Sequence, residues 1–122
     1  MTALLVLLGG AIGAPARYVT DLYVRQWTGA DFPWGTMAVN AVGSLLLGLL
    51  AGAAAGGVLP AWVLTLAGTG FCGALTTFST FSYETVRLAE SGQWRSAALN
   101  VLGSLAIGTA AVSLGWVIGS TL

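Results

Sequence analysis

Long apolar stretches recur along the chain, and four of them can approach the ~20 residues that a membrane span requires. They predict helices over about 3–27, 34–57, 61–90 and 94–119. In the second, Asn40, Ser44 and Gly48 stand four apart and form one slim polar face, which Gly52 and Gly56 continue as a seam of small residues. The fourth repeats the pattern with Asn100, Ser104 and Gly108, then ends on Gly115 and Gly119. An asparagine so placed has two readings: a helix-pairing group, or a hydrogen-bond donor facing a path between helices.

The third span departs from this regularity. Gly68, Gly70 and Gly73 raise the entropic cost of helix and permit unusual backbone angles, and the hydroxyls from Thr76 to Ser82 can bond freed backbone groups. The pattern predicts a helix broken near 74–79. Within a bilayer, non-helical backbone survives only where protein buries it or where it lines a watery cavity, so the break marks an ion or substrate site.

Polar residues interrupt the first span near its end. Arg17, Asp21 and Arg25 fall four apart on one face, as either an interfacial ladder of ion pairs or the wall of a wet vestibule. Arg17 lies deep enough that exposure to lipid would cost at least ~2.5 kcal/mol, which favours the vestibule. Leu4 to Leu8 followed by Ala14-Pro15-Ala16 has the outline of a signal peptide, but no positive n-region precedes it. Trp27 and Trp34 bracket a short turn, Thr28 to Pro33 with Gly29 and Asp31, as anchors at one membrane surface.

A shift of sixty residues lays Asn40-Ala41-Val42-Gly43-Ser44 on Asn100-Val101-Leu102-Gly103-Ser104, and Trp34 on Trp94. The chain reads as two related helical hairpins in the same orientation. An inverted repeat would have to come from a second chain. Arg25, Arg87 and Arg95 all fall at the first and third connections, while the termini and the second connection lack Lys and Arg. The positive-inside rule then places both termini outside. An antiparallel assembly would be either a homodimer inserted both ways or a pairing with a homologous chain of opposite bias.

Composition fixes the class. At 122 residues with 57% hydrophobic, 7% charged and a mean hydropathy of +0.89, the chain lacks the polar surface of a soluble domain and reads as an all-α membrane protein. It is too small to enclose a wide pore alone. A net charge of zero and the lack of any basic run exclude nucleic acid as a partner. With no His and with Cys72 alone, there is no intrachain disulfide, no zinc, copper or iron cluster, and no nucleophile with its base, so an enzyme is not expected. Gly68-x-Gly70-x-x-Gly73 matches a dinucleotide fingerprint, but outside a βαβ unit it carries no such meaning.

What the chain does offer is neutral donors. The amides of Asn40 and Asn100, the hydroxyls of Ser44, Ser104, Thr77, Ser79, Thr80 and Ser82, and the free N–H groups of a restarting half-helix together suit a small anion. Phe78 and Phe81, three apart, either add positive ring edges to that path or simply pack.

These residues resemble the Fluc or CrcB fluoride channel family. The matches are Gly13-Ala14-Pro15-Ala16-Arg17-Tyr18, the run Gly35 to Ser44, and above all Gly70-Phe71-Cys72-Gly73-Ala74-Leu75-Thr76-Thr77-Phe78-Ser79-Thr80-Phe81. The resemblance implies a passive, fluoride-selective channel in the cell membrane that exports cytoplasmic fluoride. It implies an antiparallel dual-topology dimer surrounded by membrane lipid, with two pores along the interface. A central structural sodium ion would be held by the backbone carbonyls of Gly73 and Thr76 of both chains. By the same resemblance Phe78 and Phe81 line the pore, Asn40 is a pore amide, and Ser79 and Thr80 form a hydroxyl track. Asn100 and Ser104 continue that track on the fourth helix, Arg17 is a vestibule cation, and Glu84 sits at a pore mouth. Gly108 stands where one further hydroxyl would be expected. The alternative is a small dual-topology drug/proton antiporter subunit, which needs a carboxylate early in the first helix; that helix is acid-free until Asp21. A non-conducting helper subunit, with hydroxyls serving only helix packing, is a third reading.

Overall fold

The computed structural model describes residues 1–28 and 32–122. Gly29 and Asp31, expected in the first turn, lie outside the described residues. Those residues form helices and no strands: α1 (Thr2–Thr28), α2 (Trp34–Ala55), α3 (61–75), α4 (Ser79–Glu90) and α5 (Trp94–Ser120). With α3 and α4 counted as one interrupted span, Ala61–Glu90, four helical segments are long and apolar enough to cross a membrane. One limit differs from the sequence reading by more than a residue. Helix α2 stops at Ala55, with Gly56 as its C-cap and Gly57 at φ +79°, a conformation that glycine adopts without the Cβ penalty. Gly56 therefore lies beyond the helix and outside the small-residue seam.

Equivalent helices of the two hairpins pack on each other. The most extensive packing joins α2 to α5, and the next joins α1 to α3. Both contacts depend on missing side chains. A Cβ on Gly48 or Gly52 would fall on the carbonyl of Val112 or Trp116, and one on Gly115 or Gly119 would fall on that of Leu45 or Leu49. On the other side, a Cβ on Gly9 or Gly13 would meet the Leu66 or Phe71 carbonyl. Without a hydrophobic drive between helices in lipid, backbone approach of this kind supplies the packing that holds the spans together. Pro15 has no N–H to donate, yet α1 continues through it to Thr28.

Helix α3 is not α-helical throughout. Leu64–Cys72 is π-helical, and the Gly73 N–H reaches back five residues to the Gly68 carbonyl. Gly68, Gly70 and Gly73 give this tract its conformational latitude, and Gly68 and Gly70 are buried where α1 and α2 press against it. Three residues of α-helix follow, then the chain breaks. Thr76 is extended at φ −80°, ψ 159°, and helix resumes at Ser79. The interruption falls inside the interval read from the sequence.

Candidate functional site: a groove at the helix break

Thr77 lies at the centre of the break and is 8% exposed, so its peptide groups need partners. Asn40 supplies them from α2. The Thr77 N–H donates to Asn40 Oδ1 at 2.8 Å, and Asn40 Nδ2 donates to the Thr77 carbonyl at 3.1 Å. One side chain thus replaces the two helical bonds that Thr77 itself loses at the interruption. The Thr77 hydroxyl organises the restart: it accepts from the Thr80 N–H at 3.2 Å, donates to Thr80 Oγ1 at 3.1 Å, and stands 3.4 Å from Ser79 Oγ. These bonds have a second effect. In an unbroken helix the N–H groups of Thr77 and Thr80 would serve the carbonyls of Gly73 and Thr76; here both donors are taken elsewhere.

The break opens on a groove of about 540 Å³ whose lining includes Asn40, Ser44, Thr69, Gly73, Thr76, Phe78, Phe81, Ser104 and Gly108. All its lining residues are uncharged. Phe78 is 78% exposed, its ring centroid 5.8 Å from that of Phe81 and the planes tilted by 42°. Ser79 is exposed beside the break and Thr80 half-buried.

Asn100 does not reach this groove. It is fully buried at 0% exposure between α5 and α4, where Nδ2 donates to Thr85 Oγ1 at 2.8 Å and Oδ1 accepts from Ser104 Oγ at 3.4 Å. Thr85 in turn donates to the Phe81 carbonyl at 2.8 Å. Asn100 therefore fixes the half-helix carrying Phe81, and Ser104 is the member of the pair that faces the groove.

Arg17 lines a separate cavity of about 210 Å³ with Thr36, Thr77 and Thr80, so Thr77 walls both spaces. In the expected charged stripe Asp21 pairs with Arg25 at 3.3 Å and also borders this cavity, beside Arg17. Glu84 lies at the polar end of the bundle, accepting from Thr36 Oγ1 at 2.5 Å and sharing a pocket of about 160 Å³ with Asp21, Arg25 and Arg87.

Residues 4–116 match the family described as CrcB-like protein, camphor resistance (CrcB). The chain belongs to the CrcB family. Curated relatives agree. It is 55% identical to "Fluoride-specific ion channel FluC 1" of Frankia casuarinae, covering 94% of this chain and 93% of that one. It is 54% identical to the protein of the same name in Streptomyces avermitilis, with the same coverage. It is 47% identical to "Fluoride-specific ion channel FluC" of Acidobacterium capsulatum over 100% of this chain and 98% of the relative. Membership and four apolar spans make this CrcB protein a multi-pass membrane protein.

Sequence reasoning missed the clamp made by Asn40, the π-helical tract and the Thr36–Glu84 bond. Thr36 carries a legible signal: it stands four residues before Asn40 and eight before Ser44, on the same face of α2.

Proposed function

We propose that this chain is one subunit of a passive, fluoride-selective channel of the cell membrane that releases cytoplasmic fluoride. The observation that carries this reading is the groove at the break, lined by amide, hydroxyl and phenyl groups with no charged side chain. A small anion leaving water forfeits at least several kcal/mol of hydration. Each hydrogen bond from a neutral donor to a charged group returns roughly 1.5–3 kcal/mol, so a short row of donors suffices. A fixed cation in the same place would hold the ion too tightly to release it.

In this mechanism Ser104, turning its one proton from Asn100, and the second N–H of Asn40 donate to fluoride in the groove. The Ser79 and Thr80 hydroxyls donate beside the break, Thr80 from the Arg17 side, and the Phe78 and Phe81 rings turn positive edges toward the ion. Arg17 and Glu84 act at the approaches, and Asn100 supports the track from behind its wall. Fluoride trapped inside a cell with a negative interior moves out under ~2.3 kcal/mol per charge per 100 mV, without a coupled ion. The chain is too small to enclose a pore, and the groove is open on the side of Gly73 and Phe78, both exposed. We therefore place a second copy, or a homologous chain of opposite orientation, against that side in an antiparallel dimer.

The carbonyls of Gly73 and Thr76, freed of their helical donors, are hard oxygen ligands that fit a sodium ion shared with the partner chain. Such an ion would offset repulsion among the carbonyl ends and raise the local positive potential.

Purified protein in liposomes is expected to release fluoride, read with a fluoride electrode, and to retain chloride. Release of chloride at the fluoride rate, or of neither ion, would overturn the proposal. Phe81→Ile should slow fluoride efflux by ~2–10-fold, the scale of one aromatic interaction, while the protein elutes at its native size. Undiminished efflux would remove the ring edge from the mechanism.

A further inference from the structure

Helices α2 and α5 run side by side in step: Gly48 faces Val112, Gly52 faces Trp116, and one turn earlier Ser44 faces Gly108. At the Gly48 level the backbones touch and the space between them closes. At the Ser44 level it is open, and Ser44, Ser104 and Gly108 all border the groove.

Two features single out Ser44. Thr20, Thr65, Thr76 and Thr85 turn their hydroxyls back onto the carbonyl four residues earlier, whereas Ser44 bonds to nothing among the described residues. Since no buried side-chain oxygen or nitrogen among those residues lacks a partner, the free Ser44 hydroxyl is an accessible one. Second, α5 has no donor to offer here. Its polar row ends at Ser104, and the next turn, about 5.4 Å on, brings Gly108, with Leu47 and Leu105 nearby on the groove wall. That step exceeds a hydrogen bond, so an anion leaving Ser104 would meet a layer without donors.

We propose that Ser44 contacts fluoride directly, filling from α2 the place of a hydroxyl that α5 lacks at Gly108. This assignment rests on the channel reading above. The glycine is part of the arrangement: a Cβ at Gly108 would lie 3.9 Å from Ser44 Oγ, so a serine there would put a second hydroxyl within bonding reach of the first. With glycine opposite, the Ser44 donor stays available to the ion.

The test compares fluoride efflux from liposomes for the native protein, Ser44→Ala, Ser44→Thr and the double variant Ser44→Ala/Gly108→Ser, each checked for native elution. Loss of one donor to a charged ion predicts a drop of about tenfold or more for Ser44→Ala. Ser44→Thr should keep most of the flux, and the double variant should recover at least half of the loss by returning a hydroxyl to the same layer. A purely structural serine would not be rescued from a different helix. Native efflux with an unaffected Ser44→Ala, or a double variant no better than Ser44→Ala, overturns the assignment alone. A native protein without fluoride efflux overturns the channel reading and this assignment together.

Discussion

Exchanging Asn40 for alanine is expected to reduce fluoride efflux about a hundredfold or more and to destabilise the fold by about 2–6 kcal/mol. The substitution strands two backbone groups of Thr77 at once, and a buried group left without its partner costs ~1–3 kcal/mol. Thr77 is buried, and among the described residues no side chain but that of Asn40 is bonded to its N–H and carbonyl. Asn40→Asp tests the geometry more sharply. An aspartate can still accept from the Thr77 N–H, but its other oxygen would stand against the Thr77 carbonyl, so it should restore little. Efflux, together with the melting of helical circular dichroism in detergent, reports both quantities. Near-native flux in Asn40→Ala would mean that the break holds itself together.

The second large effect is expected at the α2–α5 contact. In Gly115→Ala the new Cβ would fall on the Leu45 carbonyl oxygen, with the Leu49 nitrogen 2.7 Å away, so the helices must part. Ordinary overpacking costs ~1–3 kcal/mol by displacing side chains. Here the obstacle is main chain, which gives less, and the cost should fall at the top of that range or above it. Parting these helices also moves Ser44 and Ser104, so conduction and stability should fall together. Gly10→Ala is the control, since its Cβ would meet only ordinary contact, with Ala74 Cβ 3.8 Å away. A melting midpoint lowered by several degrees in Gly115→Ala, and unchanged in Gly10→Ala, is the predicted result. Equal midpoints would show that the seam yields more readily than its backbone contacts imply.

The small-residue seams illustrate how much of this architecture the chain announces. Spacing alone marks Gly48, Gly52, Gly115 and Gly119 as one face each, because a helix returns to the same side every three or four residues. It does not say that these faces meet each other, which depends on the packing of non-neighbouring spans. The break was legible from three glycines followed by hydroxyls, since both features weaken helical bonding locally. The π-helical tract was not, because a shift from four-residue to five-residue bonding leaves no period in hydrophobicity over so short a run.

Asn40 and Asn100 show the limit most clearly. The repeat makes them equivalent in sequence, and both are polar positions inside a span. Yet Asn40 faces a span that has come apart and bonds its backbone, whereas Asn100 is sealed against Thr85 and anchors a half-helix. The corresponding first span runs unbroken through Pro15, so no second site of the same kind arises. Equivalent residues have separate roles because only one of the two hairpins contains a broken span.

Leu64–Cys72 holds slack in the chain, since its turns take up more residues than ordinary helical ones. Were the same nine residues wound as ordinary helix, with none removed, everything beyond them would come to a different bearing around the span's axis. The two phenyl rings would face a different neighbour although none of their own atoms had been changed. This stretch thus acts as a rotary spacer: its winding sets the bearing of the aromatic pair, and shortening it by one residue, which the tract can absorb by tightening, is predicted to be better tolerated here than in the regular helix α5.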